Sequence, residues 1–333
     1  MQFLTSVRLP DFPQKISLQS HILTLGSCFS ENIGAKLETY KFQVLANPFG
    51  IIFNPLSIFT VLEKTLNYTN FEGSKIIQNQ EIWAHYDVHS RLSDLSQEKL
   101  LNNLQKAQQN TFDWFAKIDK NPSENFLILT FGTAYIHRLK SSGEVVANCH
   151  KMPAHLFEKK LLSVSEIIGS FEKIASLLFR KKLTIVLTVS PVRHIKEGLS
   201  ENSISKSILR VACHELSEKF SNIYYFPSYE LVLDELRDYR FYTADLIHPN
   251  EIAITYIFEK FSESFFAESA KNFVKKWQKI QRGLSHNPQF NYTKSHQNFL
   301  KKLLGKVQNI KEVDTLEECR FLEKQLELLK LEG

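Results

Sequence analysis

What this chain lacks narrows it before any motif does. Across its 333 residues no apolar run reaches the length a membrane span needs. No block of Lys and Arg tracks along it as a phosphate-binding stripe would. The formal net charge is +5 with both signs interspersed, so nucleic acid is not expected as a partner. The four cysteines, Cys28, Cys149, Cys213 and Cys319, are too widely spaced for a disulfide or metal-ligand framework, and no metal or other cofactor is expected. The first twenty residues contain Pro10 and Pro13 but no apolar signal region. There is no internal repeat and no low-complexity tract. These absences point to a protein without a membrane span, in a reducing cytoplasm.

What is present is core-forming material. Apolar residues make up 43% of the chain and Phe alone occurs 26 times, enough for a sizeable interior. The length fits one large domain with additions, or two domains. Near-continuous apolar runs at 21–26, 42–45, 126–131, 184–189 and 223–226 read as buried strands. Between them lie helical patterns at 30–40, 56–67, 97–118, 163–181 and 203–220, and another follows at 251–266. Strands of this kind alternating with helices imply a parallel sheet covered on both faces. Residues 70–95 read as an excursion with extended pieces. A hairpin pattern turns at Ser142-Gly143 and leads to Asn148-Cys149-His150. A polar, turn-rich linker is expected at 283–296, then two charged helices with an apolar seam up to Leu331. Those helices pack on the domain or on a second copy of the chain.

Two stretches carry chemistry. Gly26-Ser27-Cys28 stands where the first strand feeds the first helix, and helix amides there favour negative charge. Open α/β sheets place ligands at such strand ends. Far along the chain, Asp245 and His248 are three apart, just before a helix that Asn250 caps. At that spacing a carboxylate takes one imidazole nitrogen while the other faces a nucleophile, and the His acts as general base on a thiol or hydroxyl. His85, His89, His137 and His194 are weaker candidates for lining a pocket.

With these residues in view, the chain resembles the GSCFA family. Its N-terminal motif reads Gly26-Ser27-Cys28-Phe29-Ser30 here, with Ser in place of the usual final Ala. Asn47-Pro48-Phe49-Gly50, Gly132-Thr133-Ala134, Asn148-Cys149-His150, Ser190-Pro191-Val192 and Asp245-x-x-His248-Pro249 extend the resemblance over about 20–265. That family is similar in turn to SGNH/GDSL-type hydrolases. The resemblance implies a three-layer α/β/α sandwich with a parallel five-stranded sheet over 15–280, followed by a helical C-terminal extension over 295–333. It implies a nucleophile–His248–Asp245 triad acting on an acyl ester of a small molecule or glycan. Laid over the wider Gly-Asp-Ser block, the nucleophile position falls on Cys28, with Ser27 as the alternative. A helix start is expected to lower the pKa of the Cys28 thiol. Gly50 is expected to supply an oxyanion amide, and Gly132 and Thr133 to border the substrate. Where the wider pattern has an oxyanion Asn this chain has Ala134, a loss that Asn148 or His150 would have to make good. The same features leave open an O-acyltransferase acting on a glycan, or a binding module without turnover. The C-terminal helices are the place for a homodimer contact.

Overall fold

Five apolar runs become one central sheet. A computed structural model of the chain describes residues 5–331 apart from 72, 121–122, 287 and 290–292. Part of the expected linker (287, 290–292) and the last two residues of the expected extension lie outside the described residues.

β1 (His21–Gly26) feeds α1 (Cys28–Thr39), and β2 (Gln43–Ala46) precedes α2 (Pro55–Leu66). An antiparallel hairpin, β3 (Ile76–Asn79) with β4 (Ile82–His85), leads to α3 (Gln97–Ile118). β5 (Phe126–Phe131) is followed by β6 (Tyr135–Leu139), β7 (Val145–Val146) and β8 (Phe157–Leu161), which form a small antiparallel sheet. Next come α4 (Val164–Leu178), β9 (Thr184–Val189), α5 (Leu199–Lys219) and β10 (Ile223–Tyr225). A short α6 (Ser228–Glu230) runs into a π-helical turn at Leu231–Glu235. α7 (Glu251–Phe265), α8 (Glu268–Leu284), α9 (Lys294–Gln308) and α10 (Leu316–Leu331) complete the chain.

The central sheet has the order β10-β9-β5-β1-β2, and every pair in it is parallel. The chain builds outward from β1 in one direction and then in the other, so the order reverses between β1 and β5. Such a switch point opens a crevice at the carboxyl ends of the strands. Side chains alternate between the two faces, as the period of a strand requires. Leu23 and Leu25 of β1, Leu127 and Leu129 of β5 and Ile185 and Leu187 of β9 pack under α2, α3, α4 and α5. Ile22, Ile128 and Val186 face the other way, against α1, α7 and α8. The result is a three-layer α/β/α arrangement with a helical C-terminal region. Among the described residues, no helix is long and apolar enough to cross a membrane.

Two elements go beyond the sequence reading. β8 carries Phe157 inward but Glu158 and Lys159 outward, so its apolar content is too thin to mark a strand. α8 fills a stretch that had no assignment: Phe273, Val274, Trp277 and Ile280 recur at helical spacing, and the Trp277 indole donates to the Thr39 carbonyl at 2.9 Å. Leu300, Leu303, Val307 and Leu322 of α9 and α10 join the same buried cluster as Ile257, Phe261 and Trp277. Leu316, Phe321 and Leu328 stay exposed.

The end of β1 admits no side chain. Gly26 has φ +143°, and a Cβ there would lie 2.2 Å from the Thr130 carbonyl oxygen of β5. The Ser27 amide donates to that same oxygen at 3.1 Å, so the neighbouring strand grips the turn directly. Gly26→Ala combines backbone strain with overlap on backbone atoms that cannot move aside. It is expected to cost about 3 kcal/mol, read as a lower urea midpoint with an unchanged slope.

Candidate active site

At the carboxyl end of β1 the chain turns through Ser27, which takes the extended N-cap conformation (φ −69°, ψ 175°). Its hydroxyl accepts the Phe29 amide at 3.3 Å, the bond that makes Ser a good helix cap. Ser27 is nearly buried. Cys28 opens α1 and is half-buried. Burial raises the Cys28 thiol pKa, while its own amide, the Phe29 amide and the Lys206 cation pull the other way. The lowered thiol expected of a helix start is therefore reversed, because desolvation outweighs the helix amides.

Asp245 and His248 pair as their spacing predicts. His248 Nδ1 lies 2.7 Å from Asp245 Oδ2. The other carboxylate oxygen accepts the Thr243 hydroxyl at 2.5 Å, the Ile247 amide at 2.8 Å and the His248 amide at 3.1 Å. With the Thr243 bond as the largest contribution, these hold the Asp245 carboxyl well below the usual range. The loop is closed at its base, where the Thr243 amide donates to the His248 carbonyl at 2.8 Å. His248 Nε2 makes no hydrogen bond among the described residues. The pair is about half exposed.

Beside these elements lies a cavity of about 430 Å³. Ser27, Gly132, Thr133 and Asn148 line it, together with Asn54 and Ser190, which the sequence reading did not count among the site residues. Cys28, Asp245 and His248 are outside its lining. Among the described residues one hydrogen bond joins the two regions: the amide of Arg193, a lining residue, donates to the Ile247 carbonyl at 3.2 Å.

The expected amide donors are already in use. The Gly50 amide donates to the Asn47 carbonyl at 2.8 Å, and a Cβ on Gly50 would meet His89 at 2.4 Å. The Gly132 and Thr133 amides both donate to the Phe53 carbonyl, at 2.7 and 3.1 Å. His150 does not reach the cavity: its Nε2 is 2.9 Å from the His85 carbonyl, which ties the turn at 148–151 to the end of β4. Asn148 accepts the His150 amide through Oδ1 at 2.8 Å, and its Nδ2 has no partner among the described residues. His85 and His89 stand four apart, but on no helix. Each accepts, through Nδ1, the amide two residues on, and among the described residues no cluster of three or more His, Cys, Asp or Glu side chains is placed to hold a metal ion.

Residues 21–261 match the family model described as the GSCFA family. The chain belongs to the GSCFA family. A second model, described as GSCFA domain protein, C-terminal domain, matches residues 277–328, which takes in the last part of α8, all of α9 and most of α10. No curated protein matches the chain.

In this GSCFA chain a residue that the motifs do not mark lies under the site. Lys206 of α5 is almost wholly buried and donates to the Gly132 carbonyl at 2.6 Å and the Ser190 carbonyl at 2.7 Å. It thereby bridges the carboxyl ends of β5 and β9. Burial drives its pKa down to about 7, with Cys28 acting weakly the other way. The available signal was its place on the inner stripe of α5, among Asn202, Ser205, Leu209, Ala212 and Cys213.

A folded-state pKa near 7 against an ordinary lysine in the unfolded chain has a definite linkage sign. Between those values the unfolded state holds a proton that the folded state has released, so stability rises with pH. The burden is full below pH 7 and is relieved above it. Urea unfolding from pH 7 to 8.5 is expected to show stability rising by up to about 1.4 kcal/mol per pH unit. In Lys206→Met that rise should vanish; an equal rise in both proteins would show that Lys206 keeps its proton.

Proposed function

We propose that this protein hydrolyses an acyl ester of a small molecule or glycan in the manner of SGNH/GDSL-type hydrolases, with Cys28, His248 and Asp245 as its catalytic residues. The observation that carries this reading is the Asp245–His248 pair. A carboxylate with four hydrogen bonds fixes the imidazole through Nδ1 at 2.7 Å, leaving Nε2 for proton transfer. Ser27, not Cys28, lines the cavity, but exposure favours Cys28 as the nucleophile. Its side chain is half-buried, whereas the Ser27 hydroxyl is committed to capping α1 and is 1% exposed.

In this mechanism His248 Nε2 takes the thiol proton as the sulfur attacks the acyl carbon. The alcohol then leaves with that proton, giving a thioester. Water adds with His248 again as base, the C–S bond breaks, and the sulfur recovers its proton. The Cys28 amide, among the first of α1 and without an intrahelical partner, would face the developing oxyanion. Asn148 Nδ2 is the side-chain donor available to replace the missing Asn. The free cysteines suit a reducing cytoplasm.

A binding module without turnover is the second reading. It is favoured by the amides of Gly50, Gly132 and Thr133, each already bonded to a carbonyl. Transfer to a glycan hydroxyl in place of water would give a product only when the acceptor is present.

Short acyl esters of p-nitrophenol test the proposal. His248→Ala is expected to lower kcat by about a thousandfold, and Cys28→Ala to abolish turnover while Ser27→Ala keeps most of it. Because Asp245 stays ionised across the assay range, Asp245→Asn removes a charge and not a titration. Peptide-mapped iodoacetamide labelling of Cys28 should slow when His248 is replaced. Turnover that survives Cys28→Ala but not Ser27→Ala passes the role to Ser27. If neither the parent nor any variant hydrolyses an ester, the binding reading stands in its place.

A further inference from the structure

The cavity beside Ser27 holds cations that the mechanism above does not use. Lys159, Arg193 and Lys196 line it, and Glu197 is the carboxylate in its wall. Glu197 is engaged: it pairs with Lys159, whose ammonium also lies 4.2 Å above the Tyr135 ring, and it comes within 3.8 Å of His194 Nδ1. Glu201, behind this group, accepts the Tyr135 hydroxyl at 2.6 Å. Neither Arg193 nor Lys196 forms an ion pair among the described residues. The Arg193 guanidinium lies 4.2 Å from the Tyr242 ring centroid and 5.2 Å from that of Tyr239. These rings line a neighbouring cavity of about 390 Å³ that Arg193 shares, and cation–π contact of this kind leaves the guanidinium charge unneutralised.

The surrounding imidazoles respond to the same field. His137 is held below its ordinary pKa by burial and then by Lys159 and Lys196. His194 is pushed down to about 4, by burial and then chiefly by Lys206. Its Nε2 is buried with no hydrogen-bond partner. A neutral molecule filling this space would shield two unpaired cations from water and give them nothing in return. A carboxylate or phosphate would satisfy the Arg fork bidentately and the Lys as a point charge. At about 430 Å³ the space suits part or all of a small metabolite-sized ligand.

We propose that this cavity binds an anionic group, a carboxylate or a phosphate, through Arg193 and Lys196. The inference rests on the hydrolase reading in one respect, that the molecule bearing the anion is the substrate. The enzyme would then act on acyl esters whose acid or alcohol part is negatively charged.

The parent protein and Arg193→Gln/Lys196→Gln are titrated calorimetrically, at low ionic strength, with succinate, inorganic phosphate and neutral succinamide. At least one anion should bind saturably in the parent, and succinamide should not. The double variant should lose about tenfold or more in affinity. Which anion binds distinguishes a carboxylate from a phosphate. No anion binding above succinamide, or equal binding in the variant, overturns the proposal. Lys196→Gln alone changes an exposed, unpaired side chain and covers the case in which the double variant fails to fold; it should still weaken the anion.

Cys149 lines the same cavity and gives a second readout. Its ratio of iodoacetate to iodoacetamide alkylation rates should exceed that of free cysteine and fall in either variant. A ratio no higher than that of free cysteine counts against the site. His248→Ala should bind anions as the parent does. Anion binding by a parent protein that hydrolyses no ester would overturn the hydrolase reading and leave the anion site standing. Hydrolysis with no preference for charged over neutral esters would remove the substrate assignment.

Discussion

The contact between Gly26 and the Thr130 carbonyl sets the geometry of everything near the site. A strand that must end against a neighbour's backbone, with no room for a Cβ, leaves its sheet abruptly. The same Thr130 oxygen accepts the Ser27 amide, the Asn47 side chain accepts the Gly26 amide at 3.0 Å, and the Gly26 carbonyl accepts the Ile52 amide at 2.9 Å. Four segments are thereby locked at one point, and α1 starts in a fixed direction with Ser27 as cap. The ends of β5 and β9 are joined separately, through Lys206 between the carbonyls of Gly132 and Ser190. The crevice at the switch point is therefore framed by backbone atoms that hydrogen bonds hold from beneath.

The middle of the sheet was legible because β1, β5 and β9 are buried on both faces. A run such as Phe126–Phe131 has no polar face to confuse with a loop, and its burial is complete along the strand. The helices that cover the sheet showed their 3.6-residue stripes for the same reason. β8 was not legible because only Phe157 commits it to an interior, and its pairing with β6 is a tertiary choice. α8 had a clear stripe in Phe273, Val274, Trp277 and Ile280, but its dense Lys and Gln content masked it among polar flanks. The packing of α9 and α10 against α8 shows why: those residues are buried by partners distant in sequence.

Within the site, local relations were readable and long-range ones were not. Asp245 and His248 lie three apart in one loop, and that spacing almost dictates their bond. Gly50 was expected as a donor because the wider hydrolase pattern places a Gly amide in its second block. Its own turn consumes that amide, bonded to Asn47. His150 stood in the right motif but its ring turns to the His85 carbonyl, an acceptor contributed by a different hairpin. Arg193 follows Ser190-Pro191 at the end of β9, in a stretch noted for its Pro and not for its charge. Its guanidinium lies against tyrosines nearly fifty residues later in the chain, a contact that no local pattern marks.

The electrostatics of the strand ends bear on how a thiol there would have to work. The amides of Cys28 and Phe29 and the nearby Lys206 all favour the thiolate, yet burial wins and the thiol pKa rises. A resting thiolate–imidazolium pair is therefore not the state that these groups stabilise. In the hydrolase reading the proton leaves only as the bond forms, which makes a well-placed base necessary. In that reading the base is His248, whose imidazole a carboxylate with four hydrogen bonds fixes through Nδ1. The positive field at the strand ends then acts where it is useful, on the negative charge that develops during attack. In the same reading, with Ala134 at the position of the wider pattern's Asn donor, that field and the helix amides would carry a larger share of the stabilisation. Fixed backbone dipoles at the start of α1 would supply it there without reorganising, because the contacts at Gly26 hold the turn from which α1 starts.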